Sequence, residues 1–174
     1  ADQIGLKKVT EIISRFGINK HPREIYSIVL GSTETTLMKL VKAYSEIVNG
    51  GKSISPSIIE KIQDRNGKVI FKRDNRKCHD CEAKSIKSRN GESIIFPVLY
   101  DDRSQIISQE TAYQITSMLE GVVKRGTARR ARSIKRTIGG KTGTTNNSND
   151  SWFIGFSPDL VAGVYVGFDS PKTL

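Results

Sequence analysis

Apolar residues recur at helical spacing in three stretches of this chain. Leu6, Val9, Ile12, Ile13 and Phe16 line up on one face, and Gly17 follows where a helix would stop. A second stretch runs from about Glu34 and puts Leu37, Leu40, Val41, Tyr44, Ile47 and Val48 on one side. Ser32 or Thr33 is placed to cap it, and Asn49-Gly50-Gly51 to end it. The third, about Ser108 to Lys124, aligns Ala112, Ile115, Leu119, Val122 and Val123 ahead of Gly126.

Other segments read as strands. Ile58–Gln63 and Lys68–Arg73 flank Asp64-Arg65-Asn66-Gly67, and Asn-Gly predicts a hairpin whose two central residues take positive φ. Thr137–Thr144, Ser151–Phe156 and Val161–Phe168 follow the third helix, with Ser157-Pro158-Asp159 as a tight connection. Trp152 and Phe153 are expected in the core, as aromatic residues of strands usually are. Helices first and an antiparallel meander last predict an α+β fold. Residues 73–93 are polar and charged, and read as an excursion from the rest. No internal repeat is visible.

Composition narrows the class. The 174 residues make one domain's worth of chain, with 36% hydrophobic and 26% charged residues, as in a folded, rather polar protein. No apolar run approaches the roughly 20 residues of a membrane span, and residues 1–16 do not read as a signal peptide. The chain opens on Ala1-Asp2-Gln3 without methionine, so it is expected to be a piece of a longer protein.

The net charge is +10. Much of it lies between Lys124 and Lys141, where Arg125, Arg129, Arg130, Arg132, Lys135 and Arg136 occur with no acidic residue. A basic module that binds an anionic polymer is therefore one class to weigh. Only Tyr113 stands near the run as an aromatic, so the stacking platform of a single-strand binder is missing and nucleic acid is not an expected partner. The run reads as a solvated basic face.

Cys78 and Cys81 enclose His79 in C-H-D-C, a pair too small to complete a structural zinc site. A local disulfide or two inert thiols are expected, with neither metal nor cofactor. His21 and His79 read as surface residues.

The sharpest chemistry lies in GGKTGTTNNSNDSWFIGF, residues 139–156. Glycine in a strand marks a bulge or a close approach by another backbone or a ligand. Lys141-Thr142-Gly143-Thr144-Thr145 then joins a cation, hydroxyls and approachable backbone, a combination suited to holding a carboxylate. A plain exposed strand with lysine and threonines is the alternative for the five residues taken alone.

Their neighbours decide against it. Gly140-Lys141-Thr142-Gly143-Thr144-Thr145, then Asn149-Asp150-Ser151-Trp152-Phe153-Ile154-Gly155-Phe156-Ser157-Pro158 and Val164-Tyr165-Val166-Gly167-Phe168-Asp169, resemble the transpeptidase domain of class A penicillin-binding proteins. Leu30-Gly31-Ser32, Ala43-Tyr44 with Asn49-Gly50-Gly51, Ser108 to Tyr113, and Gly121 to Thr127 extend the resemblance over nearly all the chain except 73–93.

That family carries S-x-x-K, S-x-N and K-T-G. Here no serine has lysine three residues later, and Ser88-Arg89-Asn90 fits S-x-N at the wrong place in the order. The resemblance therefore implies that the serine nucleophile, its lysine base and the true S-x-N lie ahead of Ala1, and that residues 1–174 are the C-terminal portion of one transpeptidase domain of the penicillin-binding and β-lactamase type.

It further implies acyl transfer from a D-Ala-D-Ala stem peptide through a serine acyl-enzyme. Lys141 would supply the field for the substrate carboxylate, Thr142 and Thr144 hydroxyl donors, and Gly143 room along the strand edge. The backbone N–H of Thr144 would be one oxyanion donor. Peptidoglycan stem peptides, lipid II-derived glycan and β-lactam antibiotics are the implied partners. The parent would be a bifunctional glycosyltransferase and transpeptidase held in the inner membrane and facing the periplasm. A serine β-lactamase on the same scaffold is the rival, which the Trp-Phe-x-Gly-Phe-Ser-Pro run disfavours.

Overall fold

The computed structural model describes residues 2–74, 76, 78–79, 98–170 and 172–174. They group into two compact units: residues 1–54 with 105–174, and residues 55–104. The α+β expectation holds.

The first unit begins with α1 (Leu6–Arg15), whose end is turned by Gly17 at φ 70°, its N–H donating to the Ser14 carbonyl. A short 3-10 turn over Tyr26–Leu30 comes next. Helix α2 (Leu37–Val48) is capped by neither Ser32 nor Thr33. Its cap is Thr36, whose hydroxyl accepts from the Lys39 N–H, while Ser32 bonds Ser27 in the preceding turn. Several hydroxyls preceded the apolar run, and only the one that directly adjoins the first helical residue can reach the free N–H groups.

In the second unit, β1 (Lys61–Gln63) and β2 (Val69–Lys72) form the expected hairpin. Its turn differs from the expected one. Only Gly67, at φ 82°, takes positive φ; the Gly67 N–H donates to the Asp64 carbonyl, and the Asp64 carboxylate accepts from the N–H groups of Asn66 and Lys68. Aspartate at the first corner thus favours a type I turn closed by a glycine bulge, and a separate register shift lies between Ile62 and Gln63. Strands β3 (Cys78–His79) and β4 (Val98–Leu99) pair antiparallel. Cys81, the Ser88-Arg89-Asn90 triplet and most of the excursion at 73–93 lie outside the described residues.

The chain returns to the first unit with α3 (Gln109–Lys124), capped by the Ser108 hydroxyl, which accepts from the Thr111 N–H. The basic run forms a 3-10 turn over Arg129–Ile134. Strands β5 (Gly139–Thr144), β6 (Asp150–Phe156) and β7 (Val161–Gly167) then make an antiparallel sheet in that order. Ser157 and Leu160 close the last connection through an N–H to carbonyl bond of 2.8 Å.

Helix α2 packs on β6 and β7, α3 packs on β5, and the two helices pack on each other. Gly163 marks where α2 meets the sheet: a Cβ there would stand 2.5 Å from Val41 and 2.8 Å from Leu37. Phe16, Ala43, Ala112, Val123, Ile154 and Phe156 are buried, whereas Trp152 and Phe153 are half-buried. Trp152 instead lies against Tyr165, ring centroids 4.6 Å apart.

Candidate substrate edge at strand β5

Among the described residues strand β5 lies at an edge of its sheet, with β6 as its one neighbour there. Two glycines open it for packing reasons. A Cβ on Gly139 would stand 2.3 Å from the Phe156 ring, and one on Gly140 would stand 2.6 Å from the Ile154 carbonyl oxygen. Gly143 is different. A Cβ there would meet only the Trp152 Cβ, at an ordinary 3.5 Å, and its φ is not positive.

The register divides the functional side chains between two faces. Lys141 pairs with Ile154 and Gly143 with Trp152, in rows that continue to Gly163 and Tyr165. Thr142 pairs with Phe153 and Thr144 with Ser151, so both threonines stand on the opposite face. The Lys141 row is the face on which α2 packs, as the contacts at Gly163 show.

Backbone direction follows from the end of the ladder. The Thr145 N–H donates to the Asp150 carbonyl at 3.1 Å. Antiparallel pairing alternates inward and outward groups, so the N–H and C=O of Thr144 and Thr142 point away from β6 to the free edge. Lys141 Nζ indeed reaches the outward carbonyl of Thr142, at 2.6 Å. A group laid along this edge meets backbone in its plane, an ammonium from one face and two hydroxyls from the other.

Two neighbouring arrangements had no signal in spacing or composition. Thr127 Oγ1 lies 2.8 Å from Thr142 Oγ1, although fifteen residues separate them. At the far end of β5 the Asp150 carboxylate accepts from the Tyr165 hydroxyl at 2.8 Å, and the Asp150 N–H donates to the Thr145 hydroxyl at 2.9 Å. The Asp150 bond holds the Tyr165 hydroxyl above its usual pKa, because ionisation would set a phenolate beside a carboxylate.

A depression of about 580 Å³ lined by Lys7, Thr10, Glu11, Ser14, Arg15, Pro22 and Glu24 belongs to α1 and the turn after it, not to β5. The shape of β5 is that of an open ledge. Among the described residues no helix is long and apolar enough to cross a membrane.

Helices packed on an antiparallel sheet are the architecture of penicillin-binding transpeptidase domains. Residues 1–172 match the penicillin binding protein transpeptidase domain, and the chain belongs to that family. It is 49% identical over all 174 residues to penicillin-binding protein 1A of Rickettsia bellii. It is 36% identical, over 98% of its length, to penicillin-binding protein 1A of Pseudomonas aeruginosa. The chain spans 22% of the first of these proteins and 24% of the second.

Among solved structures, penicillin-binding protein 1A from Haemophilus influenzae superposes with a TM-score of 0.74 at 35% identity, covering 97% of this chain and 28% of that one. The PonA1 protein of Mycobacterium tuberculosis, solved in complex with penicillin V, shares the fold with a TM-score of 0.62 at 22% identity, over 88% of this chain and 34% of that one.

Proposed function

We propose that this chain supplies the substrate-carboxylate and oxyanion strand of a peptidoglycan DD-transpeptidase. The outward backbone of Thr142 and Thr144, on an edge strand flanked by Lys141 and two hydroxyls, carries the reading. An incoming D-Ala-D-Ala peptide lies along β5 as an added strand. Its terminal carboxylate meets the Lys141 ammonium and the hydroxyls of Thr142 and Thr144. Gly143 leaves the ledge clear for it.

The scissile carbonyl then sits against the Thr144 N–H, which stabilises the oxyanion as a serine attacks. That serine and its lysine base belong to a part of the parent ahead of Ala1, since the sequence holds no S-x-x-K. D-alanine leaves and the amine of a neighbouring stem peptide takes the acyl group. β-Lactams occupy the same ledge as mimics of the peptide. The parent, which we read as similar to the penicillin-binding proteins 1A it matches, pairs this domain with a glycosyltransferase in the inner membrane and works on the periplasmic side.

Acylation of the full-length parent by a fluorescent penicillin tests the assignment. Lys141→Ala is expected to slow it on the order of 10²-fold, and Arg130→Ala to leave it within about twofold. Equal effects from the two variants would remove Lys141 from the carboxylate site.

A further inference from the structure

Thr127 is fixed by the way the chain leaves α3. The N–H groups of Gly126 and Ala128 both donate to the Val122 carbonyl, at 3.0 and 3.2 Å. A Cβ on Gly126 would stand 2.9 Å from both Cα and O of Val122, so only glycine allows this tight exit. Ala128 is buried. Between these two anchors the Thr127 hydroxyl is delivered to within 2.8 Å of the Thr142 hydroxyl.

Proton counting gives that contact a direction. A threonine hydroxyl carries one proton and two acceptor lone pairs, and an ionised carboxylate can only accept. If Thr142 donates to the substrate carboxylate, it has no proton left for Thr127 and must accept from it. The order is then Thr127 O–H to Thr142 O–H to carboxylate, in which each bond polarises the next. We propose that Thr127 is a positioning residue that sets Thr142 as a proton donor toward the carboxylate of the bound peptide or β-lactam. This rests on the reading of Thr142 as a carboxylate ligand given above.

The mechanism is pre-organisation. A free hydroxyl samples several rotations, and several point its proton at water or at local backbone. The contact holds the Thr142 oxygen in place before substrate arrives, and once Thr142 accepts from Thr127 its proton is left for the carboxylate. Thr127 itself touches no reacting atom, so its loss should weaken recognition of the carboxylate and leave the attack on the carbonyl otherwise unchanged.

The test uses the full-length parent and two ligands: benzylpenicillin and its methyl ester, which lacks the anionic carboxylate. Thr127→Val is expected to slow acylation by the acid on the order of tenfold and to leave the ester within about twofold. Thr127→Ser, which keeps the hydroxyl, should stay near the parent rate with both. In a Thr142→Val background, Thr127→Val should add nothing further for the acid.

Equal slowing of acid and ester by Thr127→Val would reduce Thr127 to a structural residue, as would additive losses with Thr142→Val. Failure of the underlying reading looks different. In that case Lys141→Ala and Thr142→Val would themselves slow acid and ester alike. If those two variants single out the acid and Thr127→Val does not, only the role of Thr127 falls.

Discussion

Three glycines of β5 separate packing from function at the scale of single residues. Gly139 and Gly140 are required by the protein itself, since any side chain there meets the Phe156 ring or the Ile154 carbonyl. Gly143 has room for a methyl group and an ordinary φ. The two kinds should therefore part when each is changed to alanine in the full-length parent. Gly140→Ala should lower stability by about 1–3 kcal/mol through overpacking, read as a fall in the thermal unfolding midpoint. Gly143→Ala should stay within about 0.5 kcal/mol yet slow penicillin acylation on the order of 10- to 100-fold, because a methyl on the ledge displaces the bound strand. A Gly143→Ala parent that acylates normally would mean that the substrate does not lie over this residue.

At the scale of elements, the helices and strands were legible because their apolar residues keep one period and because caps and turns use few residue types. The Gly17 stop follows from sequence directly. The α2 cap did not, since Ser32, Thr33, Thr35 and Thr36 are alike in sequence and only placement selects Thr36. Trp152 and Phe153 are half-buried rather than core, although aromatic strand residues usually are core; toward the end of the central strand Trp152 lies against Tyr165 instead. K-T-G and its ordered neighbours mark the proposed site strand in sequence, whereas the contacts of Thr127 with Thr142 and of Tyr165 with Asp150 each join positions fifteen residues apart that spacing does not link.

Glu46 was hidden for the same reason. It is fully buried in α2, where its carboxylate takes bonds from Lys42 and the Ile54 N–H, although a helical wheel would leave a glutamate outside.

The strand-end network has a pH dependence of its own. Asp150 raises the pKa of Tyr165, so the neutral phenol is favoured in the fold. Its contribution is fully present below the unfolded tyrosine pKa near 10 and is lost as pH rises through the higher folded value. Tyrosinate absorbance, assigned by difference against Tyr165→Phe, should show Tyr165 titrating above that value in the parent and earlier in Asp150→Ala. An unchanged titration in Asp150→Ala would show that the carboxylate does not hold the phenol.

For the molecule as a whole, the chemistry divides between what β5 provides and what acyl transfer also requires. The edge strand offers a cation, hydroxyls and an outward N–H, all of which bind and polarise. None of them is a nucleophile with a base beside it, and covalent catalysis by serine needs that pair. The family meets the need with lysine three residues after serine, and no serine among these 174 residues has one. Penicillin should therefore label the full-length parent, and peptide mapping should find the acylated serine outside residues 1–174. The 174-residue chain alone should gain no mass on exposure to the same drug. Stoichiometric labelling of the chain, or an acylated serine mapped within it, would place the nucleophile on this side of Ala1 and overturn the division of labour proposed for β5.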